Sequence, residues 1–356
     1  MTLRHLPVQP AQADPDRGAD AAVQAPAAVG GESAGETLLE VRDLTVDYLT
    51  PRGPARAVDH VSFAVAKGEV FGLAGESGCG KSTVAHALLR LIKPPGQISG
   101  GQVLFEGQDL VTLPAKQLQD FRWRRASIVF QSAMNALNPV TSLGTQMCDA
   151  IRAHQKVSKA QALERAAEMF ALVGIDSRRL KSYPHQLSGG MRQRAVIAMA
   201  LTLNPELIVM DEPTTALDVV VQRDILQQIE DLQARFGFSI LFITHDLSLL
   251  VEFSTRIAIM YAGRIIELAR ADELFAQPHH PYTVGLMSSF PSIRGEKKRL
   301  QGISGSPPDL VTPPPGCRFA PRCPHVMTTC RQTYPTLREI SPGHWVSCHL
   351  DGAVSP

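Results

Sequence analysis

Apolar and polar residues alternate along Leu38-Leu39-Glu40-Val41-Arg42-Asp43-Leu44-Thr45-Val46-Asp47-Tyr48, which predicts a strand with one buried face. A second strand is expected over Val58–Ala66. The short apolar run Glu69–Ala74 leads into a glycine-rich stretch and then a helical pattern over Ser82–Leu91. Ala126–Phe130 reads as a further strand. From about residue 132 to 190 the period becomes helical, and Gln161–Val173 repeats Leu163, Ala166, Met169, Phe170 and Val173 on one face. Leu207–Met210 and Ser239–Thr244 are continuous apolar runs, the mark of strands covered on both sides. Ile257–Tyr261 and Arg264–Leu268, joined at Ala262-Gly263, predict a hairpin. The alternation of strands and helices argues for an α/β fold, a parallel sheet carrying a helical insertion.

The flanks differ. Residues 1–37 are rich in Ala, Pro, Gly, Asp and Gln, show no periodicity, and are expected to be a disordered tail. After Pro291 the chain becomes irregular and rich in Pro, Gly and Cys, which suggests a small appended domain over 291–356. That leaves 38–290 as the main domain, with its helical part at about 132–205. No apolar run approaches the roughly 18 residues a membrane span requires. Asn204-Pro205-Glu206 separates the two best, Ala195–Leu203 and Leu207–Met210. Arg4 and His5 are not followed by a sustained apolar segment, so no secretory signal is expected and the chain is placed in the cytoplasm. A membrane role would then run through a partner.

Composition adds little beyond permission. An apolar fraction of 44% in 356 residues is enough for a large core. The 35 basic and 34 acidic residues leave a net charge of +1, without the basic excess of a nucleic-acid binder. Arg122-Trp123-Arg124-Arg125 is therefore read as an exposed edge before a strand rather than a nucleic-acid patch.

Three stretches carry chemistry. Gly75-Glu76-Ser77-Gly78-Cys79-Gly80-Lys81-Ser82, followed by Thr83, fits G-x-x-x-x-G-K-[ST] between a strand and a helix. Its glycines let backbone N–H groups turn toward phosphates, and the helix start adds its positive end. Lys81 would reach the β and γ phosphates, and Ser82 would offer a hydroxyl to Mg²⁺. Leu207–Met210 ends in Asp211-Glu212, two carboxylates at the C-terminal end of a strand, where ligands sit in such sheets. Asp211 suits Mg²⁺, and Glu212 suits orienting or deprotonating an attacking water. Leu187-Ser188-Gly189-Gly190-Met191 opens a helix, Arg192–Leu203, with Ser188 as its cap and the glycines exposing backbone donors. That is a second anion site, which one phosphate loop does not need.

Together these stretches resemble the nucleotide-binding domain of ABC transporters, over roughly residues 38–290. The resemblance implies a P-loop NTPase (RecA-like) core with an antiparallel β subdomain and a helical insertion. Gly75–Thr83 is similar to Walker A, Gln131 to the Q-loop glutamine, and Leu187–Met191 to the LSGGQ signature, with Met191 in place of Gln. Leu207–Glu212 is similar to Walker B, Ala216-Leu217-Asp218 to the D-loop, His245 to the switch histidine, and Tyr48 to the aromatic that stacks on adenine. The implied cofactors are ATP and Mg²⁺, the latter held through Ser82, Gln131 and Asp211. The implied catalytic residues are Glu212, His245 and Gln131. Gly75, Ser77, Gly78, Cys79, Gly80, Lys81, Ser82 and Thr83 would bind nucleotide. So would Ser188, Gly189, Gly190 and Asp218, across a head-to-tail dimer with a second, similar or identical ATPase.

Tyr183-Pro184-His185-Gln186 before the signature, His280-Pro281-Tyr282-Thr283 after the hairpin, and Gly316-Cys317-Arg318-Phe319-Ala320-Pro321-Arg322-Cys323-Pro324 narrow the resemblance to oligopeptide, dipeptide and nickel importer ATPases. This implies a peptide importer, with nickel or another small solute as the alternative and a soluble non-transport ATPase as a remoter one. Its partners would be two permease subunits and an external solute-binding protein, at the cytoplasmic face of the membrane. Cys317, Cys323, Cys330 and Cys348 are spaced C-x5-C-x6-C-x17-C. Four thiolates can hold an iron–sulfur cluster or a zinc ion, and the absence of a C-x2-C pair favours the cluster. Some members of this family carry a 4Fe-4S cluster at such cysteines. His325, His344 and His349 nearby are read as surface residues, Cys148 as helix packing, and Cys79 as a thiol that makes the ATPase sensitive to thiol reagents.

Overall fold

The structure, a computed structural model, describes residues 35–131, 136–215, 217–288 and 302–352. Most of the expected tail, residues 1–34, lies outside them, and so does the expected boundary at 291.

The chain opens with two long strands, β1 (Thr37–Thr50) and β2 (Gly53–Ala66), paired antiparallel. Then come β3 (Val70–Ala74), α1 (Lys81–Leu88), β4 (Gly96–Phe105), the short β5 (Gln108–Asp109) and α2 (Ala115–Phe121). β6 (Ala126–Val129) precedes the helical part, α3 (Leu143–His154), α4 (Lys159–Leu172) and α5 (Gly189–Leu201). Ser142, Ser158 and Ser188 cap these three helices, each accepting from the backbone N–H three residues on. The chain continues through β7 (Leu207–Asp211), α6 (Val219–Phe236), β8 (Ser239–Thr244), α7 (Leu247–Phe253), β9 (Arg256–Tyr261), β10 (Arg264–Arg270), α8 (Ala271–Ala276) and α9 (Pro281–Ser288). It ends with α10 (Thr328–Gln332), β11 (Arg338–Ser341) and β12 (His344–Val346).

The strands form two sheets, one ordered β2-β1-β4-β5 and one ordered β11-β12-β10-β9-β3-β8-β7-β6. In the larger sheet β6, β7, β8, β3 and β9 run parallel. Their side chains alternate between two cores. Ile208, Met210, Ile240 and Phe242 pack with the helices, while Val209, Leu241, Ile243 and Leu73 pack against the antiparallel sheet. Burial on both faces is why these strands read as unbroken apolar runs. β3 and β7 flank β8, so the loops leaving their C-terminal ends open onto one crevice.

Several expectations change. β4 was not anticipated, because Gly96, Gly100 and Gly101 interrupt its alternation. The cysteine-containing segment does not stand apart from the main domain, since β12 pairs with β10 and extends the large sheet. His344 is buried rather than on the surface, and its Nε2 lies 2.9 Å from Glu267. Arg122-Trp123-Arg124-Arg125 is more than an exposed edge. Arg122 donates to the carbonyls of Leu89 and Arg90, Trp123 to that of Met199, and Arg125 bridges Glu106 and Glu206. Cys148 packs inside the helical part beside Ile151 and Ala162. No helix among the described residues is long and apolar enough to cross a membrane.

Candidate functional site

The loop between β3 and α1 is built on three left-handed glycines, Gly75, Gly78 and Gly80, with φ of 152°, 80° and 110°. A Cβ on Gly75 would stand 2.1 Å from the carbonyl oxygen of Met260, and one on Gly80 would stand 2.2 Å from that of Ala57. Only glycine fits at either position. Ser77 and Gly78 form the exposed tip. Lys81 is buried, and its Nζ donates to the carbonyls of Gly75 and Glu76 at 2.7 and 3.0 Å. Ser82 Oγ lies 3.0 Å from Asp211 Oδ1, which joins the loop to the end of β7. Burial pushes the Asp211 carboxyl above its ordinary range. Thr83 follows, half-buried in the first turn of α1.

Glu212 follows β7 with φ of +49°, a rare conformation for a residue with a side chain. A 2.8 Å hydrogen bond from its N–H to the Ile243 carbonyl fixes the turn. Its carboxylate then meets three groups from separate segments: Gln131 Nε2 at 2.7 Å, Thr215 Oγ1 at 3.1 Å and His245 Nδ1 at 3.2 Å. The three residues expected to be catalytic thus converge, and Thr215 joins them. Tyr48 lies on β1, half-buried against Gly96.

Ser188, Gly189, Gly190 and Asp218 form a second group. Ser188 Oγ accepts from the Met191 N–H at 3.3 Å, and Asp218 Oδ1 accepts from the Val221 N–H at 3.0 Å. A Cβ on Gly190 would meet Val221 Cγ1 at 2.7 Å, so the starts of α5 and α6 pack together. Among the described residues, no hydrogen bond ties this group to the phosphate loop of the same chain. Ala216, the first residue of the expected D-loop, lies outside the described residues.

Cys79 departs from expectation. It is buried beneath the loop, and burial pushes its thiol up, which disfavours the reactive thiolate. Cys317, Cys323, Cys330 and Cys348 line one small pocket of about 10 Å³ together with His280 and Phe319. Burial pushes the Cys317 thiol up to about 11 and also raises Cys323 and Cys348. Among the described residues, no three His, Cys, Asp or Glu side chains are grouped closely enough to hold a metal ion.

The motif around Tyr282 also acquires a physical role. Tyr282 Oη accepts from the Glu76 N–H at 2.8 Å, bracing the phosphate loop from beneath. Burial pulls His280 down to about 4, and its neutral ring accepts the Tyr282 N–H at Nδ1.

A family profile described as "ABC transporter" matches residues 58–215, and one described as "Oligopeptide/dipeptide transporter, C-terminal region" matches residues 266–330. The chain is similar to the probable peptide ABC transporter ATP-binding protein y4tR of Sinorhizobium fredii, at 48% identity over 90% of this chain and 96% of that one. It is also similar to the dipeptide transport ATP-binding protein DppD of Bacillus subtilis, at 44% identity over 88% and 95% of the two chains. Among solved structures it resembles the dimeric ATP-binding cassette MJ0796 in a post-hydrolysis state with ADP and phosphate. That match has a TM-score of 0.60 at 26% identity and covers 66% of this chain and 99% of the other.

Proposed function

Since the chain belongs to the ATP-binding subunits of ABC transporters, in the oligopeptide/dipeptide branch, we propose how its residues divide the work of that subunit. Its function is to bind and hydrolyse ATP for a peptide importer. The observation that carries the mechanism is the convergence of Gln131 and His245 on Glu212, while Ser82 and Asp211 meet across the phosphate loop.

The amides of Ser77 to Thr83 and the ammonium of Lys81 cradle the phosphates and offset their charge. The Ser82 hydroxyl and the Asp211 carboxylate, with Gln131 nearby, are the hard oxygen donors that Mg²⁺ prefers. When bound, Mg²⁺ neutralises phosphate charge and fixes its orientation. Glu212 orients the attacking water and draws on its proton, while Gln131 and His245 hold the carboxylate in place. The exposed side chain of His245 would contact the γ-phosphate. Tyr48 stacks on the adenine. Ser188, Gly189 and Gly190 present their donors to the ATP of a second ATPase subunit, and Asp218 shapes the same junction. Two ATPs then glue a head-to-tail dimer, and hydrolysis loosens it. Two permease subunits and an external solute-binding protein complete the complex, with this chain peripheral on the cytoplasmic face.

The four cysteines, gathered at one pocket, are proposed to hold a 4Fe-4S cluster, with zinc as the alternative. The donor set of four cysteines suits such a group, and their sequence spacing, C-x5-C-x6-C-x17-C without a C-x2-C pair, favours the cluster over zinc. Such a group would cross-link segments of the C-terminal lobe. Co-purification in mild detergent tests the complex: permeases and a solute-binding protein are expected, and ribosomes or DNA in their place would overturn it. Iron and sulfide in anaerobically purified protein, lost when Cys317 and Cys323 become Ser, test the cluster. Zinc alone or no metal would refute it.

A further inference from the structure

Glu76, the second residue of the phosphate loop, is held at every polar group it has. Its N–H donates to Tyr282 Oη, its carbonyl accepts from Lys81, and its carboxylate is gripped at two points by Arg322. The two guanidinium contacts are 2.8 Å from Nη1 to Oε2 and 2.9 Å from Nη2 to Oε1. Arg322 lies 246 residues away, in the C-terminal lobe, one residue before Cys323. Its side chain is 4% exposed, against 26% for Glu76. The remaining guanidinium donors are spent on the Ser304 and Ile303 carbonyls and on Tyr261 Oη, at 2.9, 3.3 and 3.3 Å. The arginine is thus locked by its own lobe and by Tyr261 on β9, and the loop residue is what it positions.

Charge makes this pairing matter for nucleotide. Glu76 places a carboxylate on the loop whose amides face phosphate anions. Unpaired, that carboxylate would repel them, and in a partly buried setting the repulsion is poorly screened. A two-point arginine both cancels the charge and turns the carboxylate away. We propose that Arg322 is a positioning residue for the phosphate loop, through which the C-terminal lobe sets the ATP affinity of the chain. This rests on the reading that the loop binds ATP.

The test is equilibrium binding of a fluorescent ATP analogue to the full chain. Arg322→Met is expected to weaken binding by about tenfold, within the range of coupling between contacting residues. Adding Glu76→Gln to it removes the stranded charge and is expected to restore binding to within about threefold. Arg322→Lys, which keeps the charge but loses the two-point grip, should fall between and carries the comparison if Arg322→Met proves insoluble. A merely structural arginine would lower the melting temperature and leave affinity unchanged, or make the double variant no tighter than the single one, and either result overturns the proposal. If the unmodified chain fails to bind the analogue, the nucleotide site itself is misread and this inference falls with it.

Discussion

The carboxylate of Glu212 draws partners from the ends of β6 and β8 and from the turn after β7, so three segments meet at one group. Glu212→Gln keeps the size and the hydrogen-bonding reach of the side chain but removes its basicity. ATP binding is expected to survive while turnover falls at least about 100-fold, the usual share of a general base. ATP should then trap a dimer visible on gel filtration, and turnover at the normal rate would remove Glu212 from the role. Gly80 makes a sharper steric case. Its φ of 110° and the Ala57 carbonyl 2.2 Å from a built Cβ leave no room for alanine. Gly80→Ala is expected to abolish binding of a fluorescent nucleotide with the circular dichroism of the chain unchanged. Retained binding would show that the loop can yield there. Cys79, by contrast, should react slowly with thiol reagents, because it is buried and its thiol is held protonated.

At the scale of elements, legibility followed the number of covered faces. β7 and β8 were readable because both faces are buried, and the Ala262-Gly263 hairpin because its turn residues take φ of 46° and 89°. The phosphate loop and the carboxylate pair were legible because their chemistry sits in consecutive residues. β11 and β12 were not, being four and three residues long, and β12 finds its other partner, β10, about 78 positions earlier. The same distance hid Glu267. It is fully buried on β10 and accepts the N–H groups of His279 and His280 as well as the His344 ring on β12. A carboxylate can only accept, so Nε2 of His344 carries the hydrogen. Burial alone would push Glu267 up, but these donors hold it below the ordinary glutamate range. Its folded-state pKa therefore lies below its unfolded value of about 4.3. The stability it contributes is complete above that pH and is lost as pH falls through the folded value. Melting temperatures of the parent and of Glu267→Gln should differ most at neutral pH and converge below about pH 4. A constant gap across that range would mean that the ionised carboxylate is not what matters.

For the whole molecule, the question is whether the C-terminal lobe is an appendage or part of the core. Phe319 packs edge-on against Tyr261 and Tyr282, with ring centroids 5.3 and 5.4 Å apart, beneath the phosphate loop. Arg318 reaches the Ala262 carbonyl and the carboxylate of Asp59 on β2. Asp59 is 1% exposed, and although burial opposes its charge, Arg318 and Arg264 keep its carboxyl below the ordinary range. The hairpin turn that Arg318 grips also binds the loop, since the Gly263 N–H donates to the Cys79 carbonyl at 2.8 Å. The lobe therefore reaches the nucleotide site by two routes, Arg322 to Glu76 and Arg318 through the turn. An appendage could lose Arg318 at little cost. A core element could not, because Arg318→Met leaves Asp59 buried with one of its three arginine partners gone. Breaking a buried pair from one side costs about 3 kcal/mol or more. Chemical denaturation of Arg318→Met should show a loss of that size, and Asp59→Asn added to it should recover part of the loss by removing the stranded charge. A variant as stable as the parent would mean that Arg264 and Arg56 alone satisfy Asp59, and would return the lobe to the status of an attachment held by β12.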